Sequence, residues 1–445
     1  MIPVALKNTK PSLAGIRPRL APVVGASLLA LCAIYSPAMT QTAAGTPDKD
    51  AANHILRPSK APVALTPDQQ VFVDKLTKSP ETVSVGVLNV PDAAGAEQTA
   101  VTKIVLPLGG GKEVSLVRTR PTVKSERGFI WRGEVEETGE RAVLMLSNDG
   151  HLSGFFSYKG RVFMLNHMGG DIHTMAEINP RKLPPDHPPG AHGAPISNEA
   201  ATHRVAPPEP TVSHFADAER LALEAKKITI DLMVLYTKNA SNSHLGNPAD
   251  VLALAVEDAN ESFSNSGLGN IIVRLVHTQA IDYEEAGADQ FEHLYRMVDG
   301  FGPFAALKNL RNEKRADIVG LVLESSSGCG LSTRVGADAE EAFFVVHHAC
   351  AGVALSLAHE IGHILGARHD RFVDANDKPF AYAHGYVNGT KWRTMMGYNE
   401  ACGGCPRIPF WSNPRIMYKG EPTGTAAADN ARVILEQAER VSKNR

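Results

Sequence analysis

The chain has 445 residues, a formal net charge of −3 and 43% hydrophobic residues, which suits a globular protein of two or three domains with a sizeable core. Without a basic excess it lacks the electrostatic footprint of a nucleic-acid binder. Beyond the first forty residues no stretch is long and apolar enough to cross a bilayer.

The N-terminus reads as an export signal spanning 1–38. Lys7, Lys10, Arg17 and Arg19 precede an apolar run over 20–34, and Ser36-Pro37-Ala38 offers small residues for cleavage. Pro22 and Gly25 interrupt the run, which argues against a stable membrane span. Cys32 follows the bulky Leu31, where a lipid-attachment site wants a small residue. The expectation is a secreted or periplasmic protein.

Residues 43–60 are small and polar and read as a flexible leader. A short helix is expected over 65–80, with Thr66 as N-cap before Pro67 and Asp68. Alternating runs follow at 82–90, 100–106, 113–118, 128–135, 141–147, 153–158 and 161–165, separated by turns such as Asn148-Asp149-Gly150. That rhythm predicts a small antiparallel β-domain within 39–178, closed by a polar turn at Asp171 and His173.

Residues 179–226 form a Pro-rich linker. Pro180, Pro184, Pro185, Pro188, Pro189, Pro195, Pro207, Pro208 and Pro210 disfavour regular structure, and such a segment is open to a processing protease. It carries His187, His192, His203 and His214; a solvated linker that happens to hold histidines is the preferred reading over metal ligation.

From 227 to 445 the pattern changes. A buried strand at 228–236 is followed by a helix opened by Asn247-Pro248, a strand at 271–278, helices at 289–299 and 303–314, and a strand at 317–323. Alternating strands and helices predict a mainly parallel sheet. Phe343-Phe344-Val345-Val346 reads as the sheet's edge, where an extended peptide could add itself, or equally as an internal core strand.

The next helix, expected over 352–367, carries the chemistry. His359 and His363 stand one turn apart on one face and can grip one metal ion; Glu360 follows the first and can serve as general base. Gly366 lies where a left-handed turn would return His369 as third ligand. A buried helix with incidental His and Glu would leave Gly366, His369 and the export signal unexplained. The donor set is that of a catalytic zinc site.

Past the signal there are four cysteines, Cys329, Cys350, Cys402 and Cys405, and an even count in an exported chain favours disulfides. Of three connectivities, Cys329–Cys350 and Cys402–Cys405 is favoured because each pair would staple a loop bordering the motif. The rival, a structural zinc site on Cys402 and Cys405, lacks a second matching pair. Asp374, Asn376 and Asp377 are oxygen-rich enough for calcium, but their spacing is not that of an EF-hand, and a plain loop is the preferred reading.

Residues 359–370 resemble the long zinc motif of the metzincin metallopeptidases, and Asp370 after the third histidine is similar to the reprolysin (adamalysin) branch. Thr394-Met395-Met396-Gly397-Tyr398 resembles the Met-turn of that clan, with Met396 as the equivalent methionine. Val345-Val346-His347-His348-Ala349-Cys350 resembles the approach to the active-site helix. The tail from Trp411-Ser412-Asn413-Pro414 is similar to bacterial secreted peptidyl-Asp-type metallopeptidases. Trp131-x-Gly133 and Gly154-Phe155-Phe156-x-Tyr158 are similar to reprolysin-type propeptides.

The resemblance implies an α/β metzincin-like catalytic domain at 227–445. It would have a mainly parallel twisted sheet with an antiparallel edge strand, an active-site helix and a Met-turn subdomain, preceded by a β-rich propeptide domain. It implies a monomeric zinc endopeptidase made as a zymogen and acting on proteins or peptides, with one Zn2+ on His359, His363 and His369. Tyr398, two residues after Met396, resembles a tyrosine that steadies the transition state in related enzymes, although packing alone is the preferred reading. The chain departs from the animal reprolysins in having no cysteine in 40–227, so latency cannot rest on a thiolate; Asp171 or His173 are candidate substitutes. The alternatives are a zinc hydrolase of cell-wall peptides and an exported binding protein with a vestigial site.

Overall fold

The computed structural model describes residues 54–59, 63–91, 98–125, 127–191, 209–242, 248–285, 287 and 289–445. The expected signal with its Cys32, most of the polar leader, His192 and His203 of the linker, and Asn247 lie outside the described residues.

The first half is organised by a ten-stranded sheet. Strand Val101–Gly109 pairs with Lys112–Arg118, and the path continues through Gly128–Val135, Arg141–Ser147, Leu152–Tyr158, Arg161–Gly169 and Ile172–Ile178 to Thr82–Asn89. All these pairings are antiparallel. Alternation explains them: one face buries Ile104, Leu116, Trp131, Leu144, Phe156 and Leu165 in a common core. The helix Pro67–Lys78 starts as expected, its Thr66 hydroxyl accepting from the Gln69 amide while the Gln69 side chain accepts from the Thr66 amide.

Two expectations change here. His54–Leu56, within the supposed leader, pairs in parallel with the strand Val101–Gly109. Asp171 does sit in a turn, but His173 belongs to the strand Ile172–Ile178 and is fully buried. The period was masked because that strand is covered on both faces over residues 173–176.

The second half is built on a five-stranded sheet. Ile271–Ile281, Ile228–Thr237, Ile318–Leu323 and Phe343–His347 run parallel, and Gly330–Ser332 pairs antiparallel with the last of them. Phe343–His347 is therefore internal, and the edge is Gly330–Ser332, too short to be read from alternation. The helix Asp217–Glu224 precedes the first strand and corrects the reading of 179–226 as linker throughout; no proline falls within 211–226 to prevent it.

The long helix Pro248–Asn265 joins the two halves. It sends Leu252, Ala255, Ala259 and Phe263 into the core of the second half and Leu254 against Ile130, Val143, Met145 and Phe155 of the first sheet. Its acidic side is met by arginines from that sheet: Arg127 on Asp250, Arg132 on Glu257, Arg141 on Asp258 and Glu261, and Arg120 on Glu261 at 3.2 Å. Asp258 is buried deeply enough to push its carboxyl up to about 6 despite Arg141. Among the described residues, no helix is long and apolar enough to cross a membrane.

Candidate functional site

The motif helix is shorter than expected, Ser356–Ile364, because Leu355 ahead of it is left-handed (φ 59°). All nine of its residues are buried. Gly366 adopts φ 94°, a conformation that side chains resist, and the Gly366 and Ala367 amides donate to the His363 and Gly362 carbonyls at 2.9 Å. This turn carries His369 back toward the helix.

The three motif histidines meet. His359 Nδ1 donates to the Met395 carbonyl and His363 Nδ1 to the Ala367 carbonyl, both at 2.9 Å. A carbonyl can only accept, so in a neutral ring each Nε2 is left as a lone pair. Those Nε2 atoms lie 3.2 Å (His359) and 3.0 Å (His363) from His369 Nε2. Burial, then the neighbouring His187 and Arg407, hold His359 well below the usual histidine range, favouring the neutral form. Imidazoles converging on one point through Nε2, with Nδ1 of His359 and His363 tied to backbone, fit a divalent transition metal.

Glu360 lies beside this cluster, fully buried, and burial raises its carboxyl above the usual range. The edge strand makes room for it: a Cβ on Gly330 would fall 2.3 Å from Glu360 Oε1. Met396 is fully buried, its carbonyl accepting from the Asp370 amide at 3.2 Å. Asp370 in turn accepts from the Tyr398 amide (2.7 Å) and the Phe372 amide (2.9 Å), tying the end of the motif to the turn at 394–398. Tyr398 does more than pack; its ring centroid is 4.7 Å from that of His369, and its hydroxyl reaches a further histidine.

That histidine is His187. The linker does not stay in solvent: after a 3-10 turn at Pro180–Lys182, residues 183–191 run into the cleft. Carbonyls of Pro185 and Asp186 accept from the amides of Cys329 (2.7 Å) and Gly330 (3.2 Å), so the segment adds itself alongside the edge strand. A Cβ on Gly328 would meet Pro188 Cδ at 2.4 Å, so this approach requires glycine. The His187 ring lies 4.6 to 5.1 Å from those of His369, His359 and His363. Its Nδ1 is 3.0 Å from the Tyr398 hydroxyl and its Nε2 3.3 Å from Glu360 Oε1. One ligand atom from each of His187, His359, His363 and His369 falls within 4.8 Å of the others.

His187, and not Asp171 or His173, is the linker-side group that lies at the site. Both ring nitrogens of His173 are engaged inside the first sheet, with the Leu152 amide and the Asp171 carbonyl, and Asp171 is an exposed turn residue. His214 is exposed. Next to His187, Asp186 is held by Arg393 (3.0 Å) and Arg407 (2.7 Å). Burial would raise the Asp186 carboxyl, but Arg407 and Arg393 outweigh it and hold it well below the usual carboxylate range.

His187 was read as a solvated linker residue, and Asp186, Arg393 and Arg407 were not singled out in the sequence. The available signal was an Asp-His pair between prolines and two arginines flanking the Met-turn. The disulfides are Cys329–Cys350, which ties the edge strand to the loop before the motif helix, and Cys402–Cys405, which closes the loop between the two arginines. Asp374 and Asp377 face Arg368 and Arg371.

Comparison with known proteins agrees with this geometry. A model of metallo-peptidase family M12 matches residues 226–412. A protein of Xanthomonas campestris pv. campestris described as a peptidyl-Asp metalloendopeptidase is 31% identical over 92% of this chain and 95% of its own length. One of Stenotrophomonas maltophilia with the same description is 30% identical over 81% of this chain and 86% of its own. The crystal structure of metalloproteinase-II from Bacteroides fragilis aligns with 75% of this chain and 90% of its own, at 14% identity and a TM-score of 0.38, too loosely to carry weight.

Proposed function

Because this chain belongs to metallo-peptidase family M12, alongside the peptidyl-Asp metalloendopeptidases, we propose that it is an exported zinc endopeptidase made as a zymogen. The observation that carries the reading is the convergence of the His359, His363 and His369 Nε2 atoms beside a buried Glu360. These histidines would hold one zinc ion, which when bound makes water acidic enough to ionise near pH ~7 and polarises a carbonyl.

The protein's own groups do the rest. Glu360, its carboxyl raised by burial, takes a proton from the attacking water as the new C–O bond forms. It then delivers that proton to the amine as the C–N bond breaks. The Tyr398 hydroxyl, freed from His187, is placed to donate a hydrogen bond to developing negative charge. Met396 is an apolar support under the site and not a ligand.

In the zymogen His187 is the latency group. It sets a fourth imidazole over the cluster, engages both Glu360 and Tyr398, and leaves with the segment when the chain is cut within 192–226. The first sheet, within 39–178, is the propeptide domain that delivers it. We extend the relatives' aspartate preference to this chain as part of the same proposal.

Glu360→Ala should retain bound zinc while hydrolysis falls by at least ~10²–10⁴-fold, measured on casein or a peptide mixture. Unchanged hydrolysis sinks the assignment. Hydrolysis of peptidoglycan fragments but not of casein would favour the cell-wall alternative.

A further inference from the structure

Resting on the peptidase reading above, a second feature of the cleft assigns a specificity site. One residue before His187, the chain places a carboxylate between two guanidinium groups. Asp186 Oδ2 is 3.0 Å from Arg393 Nη1 and 2.7 Å from Arg407 Nη2, and the three side chains are only 13%, 11% and 7% exposed.

The arginines are fixed independently of Asp186. Arg393 Nη1 also donates to the Gly397 carbonyl at 2.6 Å, and Arg407 Nη1 to the Ala354 carbonyl at 2.8 Å. Backbone bonds lock the two strands of chain together, Arg393 N to the Pro406 carbonyl at 3.0 Å and Ile408 N to the Arg393 carbonyl at 2.9 Å. The pocket is therefore built into the loops around the Met-turn and remains when the linker segment departs.

Two buried cations side by side are costly without an anion. The zymogen supplies that anion from the segment that maturation removes. In the released enzyme the same position must be met by solvent or by a substrate carboxylate. Asp186 and His187 are adjacent, so a carboxylate in this pocket belongs to a residue at or next to the scissile bond. The pocket reaches a short side chain bonded at normal distances, so a glutamate would need displacement of the backbone that Cys329 and Gly330 hold.

We propose that Arg393 and Arg407 form the subsite that selects an aspartate beside the scissile bond, and that Asp186 occupies it as the chain's own pseudosubstrate. The relatives' name carries the aspartate; the geometry supplies its seat and explains why the latency segment reads Asp-His.

The test uses full-length protein, wild type and the variants Arg407→Gln and Arg393→Gln, allowed to mature. Each digests a peptide library with members paired by Asp or Asn at one position, read by mass spectrometry. The wild type should favour the Asp member in kcat/KM by on the order of 10²-fold, and either variant should bring that ratio near one. A wild-type ratio near one, or a ratio unchanged in both variants, overturns the subsite. A library left wholly uncut overturns the peptidase reading instead.

A second measurement needs neither turnover nor metal. In full-length Glu360→Ala, Asp186→Asn leaves the pocket intact but removes the charge. Amide exchange at Cys329 and Gly330, which donate to the segment, should accelerate at least about tenfold, and Arg407→Gln should do the same. Unchanged exchange in both overturns the pseudosubstrate role.

Discussion

The molecule holds two histidine groups of similar compactness and opposite use. In the first sheet the His151 and His167 rings stack at 3.4 Å, and His173 lies 5.0 Å from His167. In the cleft the motif rings are 4.6 to 5.2 Å apart, comparable in spacing to the first group. Proximity does not separate them; the direction of the ring nitrogens does. His173 gives Nδ1 to the Asp171 carbonyl and accepts the Leu152 amide at Nε2, and His167 Nε2 faces the Gly170 carbonyl. Those nitrogens finish the hydrogen bonding of strands. In the cleft Nδ1 of His359 and of His363 is tied to backbone, and the Nε2 atoms of all three rings converge.

The sharpest way to break this contrast is to remove one ring from each group. His363→Ala should abolish stoichiometric zinc after dialysis, since one of three ligands is gone, whereas His167→Ala should leave the zinc content unchanged, both by elemental analysis. Zinc lost from His167→Ala, or kept by His363→Ala, would mean that ring orientation does not distinguish the groups.

The same contrast explains what the sequence disclosed. The motif was legible because its ligands are local: His359 and His363 share a helix face, and Gly366 marks the turn that returns His369. The hairpins over 128–135 and 141–147 were legible because their alternation is uninterrupted between recognisable turns, and the observed strands are Gly128–Val135 and Arg141–Ser147. His187 was not, because its neighbours are set by long-range docking and three other histidines in the same linker look alike. The edge strand Gly330–Ser332 has only three residues, too few for any period to show. Phe343–His347 was read as edge or core because a run buried along its whole length reveals burial and not position in the sheet.

Between the two groups stands the ladder of arginines on the helix Pro248–Asn265. Arg141 serves both Asp258 and Glu261, with Asp258 almost wholly buried. Arg141→Ala should cost about 3–5 kcal/mol of stability in urea denaturation, because it strands a buried carboxylate without its partner. It should also loosen the first sheet from the helix, seen as faster exchange of the strand Arg141–Ser147, while zinc content holds. A loss below about 1 kcal/mol would reduce the ladder to surface ion pairing.

The smaller effect is the share of the pH dependence that His173 of the first group contributes. His173 is buried among strands, and desolvation lowers its pKa from 6.5 to about 4, helped by the neighbouring His167 and His151 and opposed by its bond to the Asp171 carbonyl. The unfolded chain takes up a proton below about pH 6.5, and the folded sheet does not until about pH 4. Protonation of His173 therefore favours unfolding throughout that window, so its contribution to stability should be flat above the window and fall as pH drops, by up to about 3 kcal/mol. Since His167 is lowered in the same direction by burial, the wild-type slope alone does not isolate one ring. His173→Gln does, because its amide oxygen can still accept from the Leu152 amide while carrying no titrating proton. The difference in stability between wild type and this variant should itself change between pH 7 and 4.5, wild type losing the more as pH falls. A difference that does not change with pH would mean that His173 does not titrate in this window, and its backbone bonds would then be structural without being pH-sensitive.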